Sequence, residues 1–188
     1  LPATMGEIGV SVFLARARAG AASGGALTNR FGRRRPLIWA GIIFAVSSIG
    51  TAFAPTVGWL IAARVVSGLG IGLASFISPM YIAEMVPARV RGGFVAVNML
   101  AITSGIVIAY LVDYAFSSTN NWRYMFGLAA IPSVALVIGM WLLPDSPRWL
   151  ISKSKIEQAT RILKRARISS DVDPEIAGIR ESLGKKGA

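Results

Sequence analysis

Residues 57–85 read VGWLIAARVVSGLGIGLASFISPMYIAEM, and Arg64 and Glu84 are the only charged residues among them. About 20 mostly apolar residues suffice for a helix to cross a bilayer, so this stretch predicts a membrane span, Val57–Met85. Uncharged runs flank it on both sides: 36–63, 92–112 and 124–144. The first is interrupted by Ala54-Pro55-Thr56-Val57-Gly58, a turn signal, which leaves a span at 37–54. The other two predict spans at 93–114 and 122–143. An earlier segment, 8–28, has the length and the small residues that let membrane helices pack closely, but Arg16 and Arg18 stand near its middle. Each charge costs roughly 2.5–3.5 kcal/mol at the centre of an inserting helix. That segment therefore either packs inside a bundle or is no free-standing membrane helix.

Composition agrees with a membrane bundle. Of 188 residues 54% are hydrophobic, only 15% are charged, and the mean hydropathy is +0.58. Such a chain is not disordered, and an ordinary soluble domain carries about a quarter charged residues. The chain has no Cys and no His. That excludes a disulfide framework, thiolate or imidazole metal sites and a Ser-His-Asp triad. No metal or other cofactor is expected, no acid–base constellation points to an enzyme, and there is no phosphate-binding loop at Gly68–Gly72.

The net charge of +11 is explained by its placement. Arg30, Arg33, Arg34 and Arg35 lie between the first two of these spans, nothing charged lies in the next connection, and Arg89 and Arg91 follow Glu84. The connection before residue 122 is poor in charge, and Arg148, Lys153, Lys155, Arg161, Lys164, Arg165 and Arg167 follow the last span. Rich and poor connections alternate, as the positive-inside rule expects, so the rich side and the tail are expected in the cytoplasm. A nucleic-acid interface would gather its charge on one face, and none is expected here. No secretory signal is apparent, and a chain starting Leu1-Pro2 reads as cut.

The tail, 145–188, predicts cytoplasmic amphipathic helices. Ser146-Pro147 and Asp173-Pro174 are cap-then-proline starts. Ile156, Ala159, Ile162, Leu163 and Ala166 form one apolar stripe, and Ile176, Ile179 and Leu183 a second, ended by Gly184. These stripes need a surface to cover them, and the body of the membrane bundle is the expected one.

Four stretches carry a family resemblance. Residues 25–35, GALTNRFGRRR, make a tight basic turn in which Gly32 permits positive φ; 64–72 read RVVSGLGIG; 79–92 read PMYIAEMVPARVRG; and 144–150 read PDSPRWL. In this order they resemble the sugar-porter branch of the major facilitator superfamily, from helix 2 to helix 6 and the start of its intracellular helical domain. The fold this implies is all-α: a polytopic membrane helix bundle, the partial N-terminal half of a major facilitator fold plus cytoplasmic helices. Helix 1 and the C-terminal half are missing partners; the lipid bilayer and a small-molecule substrate, by resemblance a sugar, are the others.

By that resemblance Arg30, Gly32, Arg33, Arg34, Glu84, Arg91 and Arg148 form a cytoplasmic latch that holds one arrangement of the helices. Surface ion pairs worth about 0–1 kcal/mol each are the plainer reading. Arg64 matches the arginine thought to pair with a helix 1 Asp in proton-coupled members; its plainer reading is snorkelling to the surface. Met99 stands where the family's sugar-contacting residue stands, and Asn98 and Thr103 are polar candidates on the same span, with helix packing as their plainer reading. Two departures stand out: Asn29 replaces the usual Asp of the basic turn, and Met99 replaces a Gln that binds sugar hydroxyls. A thioether cannot supply an amide's hydrogen bonds. The implied function is part of a facilitative or proton-coupled transporter for a sugar or similar polyol, working by alternating access in the plasma (inner) membrane. The alternative is a truncated, non-transporting remnant or a transporter-like membrane sensor.

Overall fold

The computed structural model describes residues 25, 27–87, 89–117, 122–166 and 173–184. Among the described residues, after a helical turn at 27–31, the helices are α1 Arg34–Ala52, α2 Val57–Met85, α3 Arg91–Ser117, α4 Trp122–Leu128, α5 Ala130–Leu142, α6 Pro147–Ser152, α7 Ile156–Ala166 and α8 Asp173–Gly184. The described residues contain no strand. Among the described residues four segments are long and apolar enough to cross a membrane: α1, α2, α3, and α4 with α5 as one span. The expected span at 8–28 lies, except for its last residues, outside the described residues, and so do Arg16 and Arg18.

Local chemistry sets the boundaries. Thr56 is extended and its side chain accepts the Trp59 N–H, which caps α2. At the other end Pro87 disfavours helical geometry in Val86, which is extended with ψ 141°. Pro79 lies inside α2, where neighbouring helices in a bilayer tolerate a missing N–H. The last span differs from its expected form, because the helix is interrupted at Ala129. Pro132, three residues on, has no N–H to give the Leu128 carbonyl. α3 runs to Ser117 rather than stopping at 114, since Ala115-Phe116-Ser117 contains no breaker.

α1 packs against both α2 and α5. Near the arginine-rich end Leu37, Ile77, Tyr81 and Met140 form a buried cluster. Buried hydroxyls are satisfied within their own helices: Thr51 donates to the Ser47 carbonyl at 2.8 Å and Ser133 to the Ala130 carbonyl at 2.7 Å. α3 has no buried residue. Its apolar faces suit lipid or further helices, and in water they would be an aggregation site.

The glycines of α2 do not act alike. A Cβ on Gly70 would stand 2.9 Å from the Ala40 carbonyl oxygen and 3.3 Å from the Phe44 nitrogen, both backbone atoms of α1. Gly68 and Gly72 have nothing within 4 Å, so among these three the close approach to α1 belongs to Gly70. Gly70→Val should destabilise the bundle by roughly 1–3 kcal/mol through overpacking. Gly68→Ala should raise stability by up to about 1 kcal/mol through helix propensity. Thermal unfolding in detergent micelles reads both; equal effects of the two would refute this α1–α2 contact.

The tail forms its own small core. Trp149, Leu150 and Ile151 of α6 bury against Ala159 and Leu163 of α7 and Ile176 of α8. The two apolar stripes are thus covered mainly by α6 and by each other, rather than directly by the bundle. Ser146 caps α6 by accepting the Trp149 N–H, with Pro147 at the first helical position. α6 joins the tail to the bundle, with Trp149 Nε1 hydrogen-bonded to the Asn29 carbonyl.

Candidate functional site

The basic turn, the end of α2 and the start of α6 meet at one end of the bundle. Residues 27–31 are helical, and Gly32 ends that turn with φ +86°. This left-handed geometry strains any residue with a Cβ. A Cβ there would also lie 2.9 Å from Asp145 Oδ1 and 3.2 Å from Trp149 Cδ2. Gly32 is therefore required twice, by the backbone and by the ring packed on it.

Reversing the chain at Gly32 sends consecutive arginines to different partners. Arg33 Nη2 donates to Glu84 Oε1 at 2.9 Å, and Nε faces Oε2 at 2.9 Å. The first is a hydrogen bond; the second is an ionic contact whose alignment falls short of one. Arg33 Nη1 also donates to the Thr28 carbonyl at 3.2 Å. Both side chains are buried, 7% and 8% exposed, which removes the reading as a surface ion pair. Arg34 turns to α5, donating from Nε to the Met140 carbonyl at 3.0 Å and from Nη2 to the Trp141 carbonyl at 2.5 Å. A cation there satisfies the unpaired carbonyls of a helix C-terminus.

α6 is fastened to the same place. Trp149 Nε1 donates to the Asn29 carbonyl at 3.2 Å, and Tyr81 Oη to the Pro144 carbonyl at 2.7 Å. Asp145 is held partly out of water here, and burial raises its pKa. Arg34, Arg35, a backbone hydrogen bond from Arg34 and Lys155 oppose that rise. The folded state thus holds the Asp145 proton more tightly than the unfolded chain. This contribution to stability is present below the ordinary carboxylate value and is lost as pH rises through the folded value. Asp145→Asn should therefore stabilise the chain at neutral pH and change little in acid, as read by unfolding midpoints on either side of the carboxylate range. A difference that is constant with pH would remove Asp145 as the titrating group.

The expected latch residues are only partly brought together. Arg33, Glu84, Gly32 and Arg34 converge. Arg30 is exposed and lies over the Phe31 ring, 5.3 Å from its centroid. Arg148 donates to Ser182 Oγ at 3.5 Å, within the tail. Arg91 opens α3, exposed and without an ion pair among the described residues. Asp145, Trp149 and Tyr81 were not foreseen as contacts, although all three stand inside the stretches that carry the resemblance.

Arg64 sits about two turns into α2 with its guanidinium over the Phe126 ring of α4, 4.1 Å from the centroid. The guanidinium is not bare, since a cation over an aromatic face is attracted by about 0.5–2 kcal/mol. On α3, Asn98 Oδ1 accepts from Ser78 Oγ at a long 3.5 Å. Thr103 Oγ1 donates to the Met99 carbonyl of its own helix at 3.0 Å, and the Met99 side chain is exposed.

Residues 3–187 match the family described as Sugar (and other) transporter. The chain is 39% identical over 173 residues to a putative metabolite transport protein of Bacillus subtilis, covering 92% of this chain and 38% of that protein. It is 42% identical over 178 residues to the galactose-proton symporter of Escherichia coli, covering 94% of this chain and 38% of the symporter. The fold superposes on the xylose transporter of Escherichia coli in a partially occluded inward-open conformation, with a TM-score of 0.81 and 35% identity over 89% of this chain and 44% of that one. The same transporter bound to 6-bromo-6-deoxy-D-glucose gives 0.82 at 35% identity, over 90% of this chain and 41% of that one. The chain thus spans about two fifths of the length of the curated relatives it matches.

Proposed function

The chain belongs to the sugar transporter family of the major facilitator superfamily, a multi-pass membrane protein and not an enzyme, and we propose that it forms part of a carrier that moves a sugar or similar polyol by alternating access. Residues 1–144 are the membrane bundle and 145–188 the cytoplasmic helices, in the plasma membrane with the arginine-rich end inward. The buried Arg33–Glu84 pair carries the reading. It ties the turn before one membrane span to the end of the next, and a buried ion pair is a two-state element: made, it holds one arrangement; broken, it favours another. Arg34, Gly32 and the docked α6 stiffen that latch, with Arg30, Arg91 and Arg148 around it. Arg64 is the coupling cation if the carrier uses protons, and an intramembrane charge calls for such a role. Asn98, Met99 and Thr103 face the substrate path.

The test is a chimera in which this chain replaces the matched segment of the galactose-proton symporter, reconstituted in proteoliposomes. Saturable, sugar-competed uptake is expected, and Arg64→Leu should abolish its dependence on a proton gradient. A chimera that inserts correctly and carries no sugar would sink the transport reading in favour of a remnant or sensor. Met99→Gln, which restores an amide to that face, should lower the KM for sugar in the chimera several-fold. An unchanged KM would take Met99 out of the substrate path.

A further inference from the structure

An open cleft of about 450 Å³ lies at the arginine-rich end, where α1, the end of α5 and α7 approach one another. Arg34 and Arg165 line it together with Met85, Trp141, Leu142 and Ile162. Among the described residues no carboxylate lines it. Of the two carboxylates next in sequence to lining residues, Glu84 is paired with Arg33, and Asp145 lies against Gly32 and Trp149, where it accepts the Arg34 backbone N–H. The two arginines differ in how they are held. Arg34 is anchored by its bonds to the Met140 and Trp141 carbonyls, and its Nη1 donates to no acceptor among the described residues. Arg165, in the last turn of α7, has no hydrogen bond or ion pair among them. α7 itself is fixed by the burial of Ala159 and Leu163, so Arg165 is presented on a docked surface.

Position decides what the two cations meet. Trp141 and Leu142 end the last membrane span and are 71% and 78% exposed. A tryptophan at a span's end marks the headgroup level of a bilayer. The cleft therefore joins two guanidinium groups, at phosphate depth, to apolar walls facing the acyl region. Guanidinium forks suit phosphate oxygens. A free anion would use the arginines but leave Trp141, Leu142 and Ile162 without an occupant. We propose that this cleft binds one anionic phospholipid, its headgroup phosphate between Arg34 and Arg165 and its chains along Trp141 and Leu142. The lipid bridges α1, α5 and α7, and so strengthens the docking of the tail on the bundle. The proposal does not depend on the transport reading.

The experiment uses the 188-residue chain in phosphatidylcholine nanodiscs, titrated with phosphatidylglycerol or phosphatidylcholine brominated on the acyl chain. The quenching lost in Trp141→Phe is assigned to the cleft. Brominated phosphatidylglycerol should quench that component at about five-fold lower lipid fraction than brominated phosphatidylcholine, since one basic residue near an anionic headgroup is worth about 1 kcal/mol. Arg165→Gln removes no described contact and should erase that preference. Lys164→Gln, an exposed neighbour that does not line the cleft, should keep it. Equal quenching by the two lipids overturns the proposal. So does an equal loss in Lys164→Gln, which would mean diffuse surface charge. Reversal of the quenching by excess inorganic phosphate would make the site a free-anion site and overturn its assignment to lipid.

Discussion

Glu84→Gln is expected to lower the stability of the chain by about 3–5 kcal/mol, because it strips the counter-charge from a buried cation. The Arg33 side chain is only 7% exposed. A glutamine of nearly the same shape can accept one hydrogen bond from it but cannot neutralise it. The guanidinium must then draw in water or leave, and either response separates residues 28–34 from the end of α2. The double substitution Arg33→Met with Glu84→Met should recover most of the loss, since exchanging a buried ion pair for apolar side chains of similar volume is often neutral. Unfolding in detergent micelles measures all three proteins. A Glu84→Gln protein within about 0.5 kcal/mol of the parent, the range of an ordinary surface substitution, would mean that the pair is solvated in solution. In the chimeric carrier the same change should move cysteine accessibility from one membrane face to the other, and unaltered accessibility would deny the pair its role as a latch.

The membrane spans were legible because their signal is compositional: a bilayer demands a length of uncharged chain, and α1, α2 and α3 occupy the runs that supply it. The break at Ala129 was less visible, since Pro132 sits inside an otherwise uninterrupted apolar run and its effect is felt a turn earlier. The site was legible in type but not in pairing. Four arginines lie within residues 30–35, and each could reach Glu84 on spacing alone. The choice of Arg33 follows from the positive φ of Gly32, which rotates successive side chains toward α2 and then α5. Sequence marked Gly32 as a turn residue but could not say where the turn would aim. Arg64 shows the same limit. Its need for a partner was plain from a charge inside a span, whereas Phe126 is 62 positions away and meets it only because α4 folds back.

Trp149→Ala is the second large effect, and it separates the tail from the bundle. The ring is 6% exposed and belongs at once to the tail's core and to the basic turn. Its face lies against Gly32 and its Nε1 bonds the Asn29 carbonyl. Truncating a buried tryptophan costs about 3–5 kcal/mol, and here the loss falls on a unit with little other core to share it. The expected outcome is local opening of α6–α8 with the four spans intact. Where opening is fast relative to cleavage, proteolysis follows the open population, so a loss of about 3 kcal/mol should speed tryptic cleavage near Lys153, Lys155 and Arg161 roughly a hundred-fold. Trp149→Phe keeps a ring on Gly32 but loses the hydrogen bond, worth about 1 kcal/mol, and should speed it only about five-fold. Gly32→Ala attacks the same contact from the other side, adding a Cβ where the ring and Asp145 already stand and where φ is positive, and should resemble the alanine variant more than the phenylalanine one. If Trp149→Ala were cut no faster than the parent, the tail would be held by something other than this ring. The contact between α6 and the basic turn would then be an adjacency without energetic weight, and the latch would have to rest on Arg33, Arg34 and Glu84 alone.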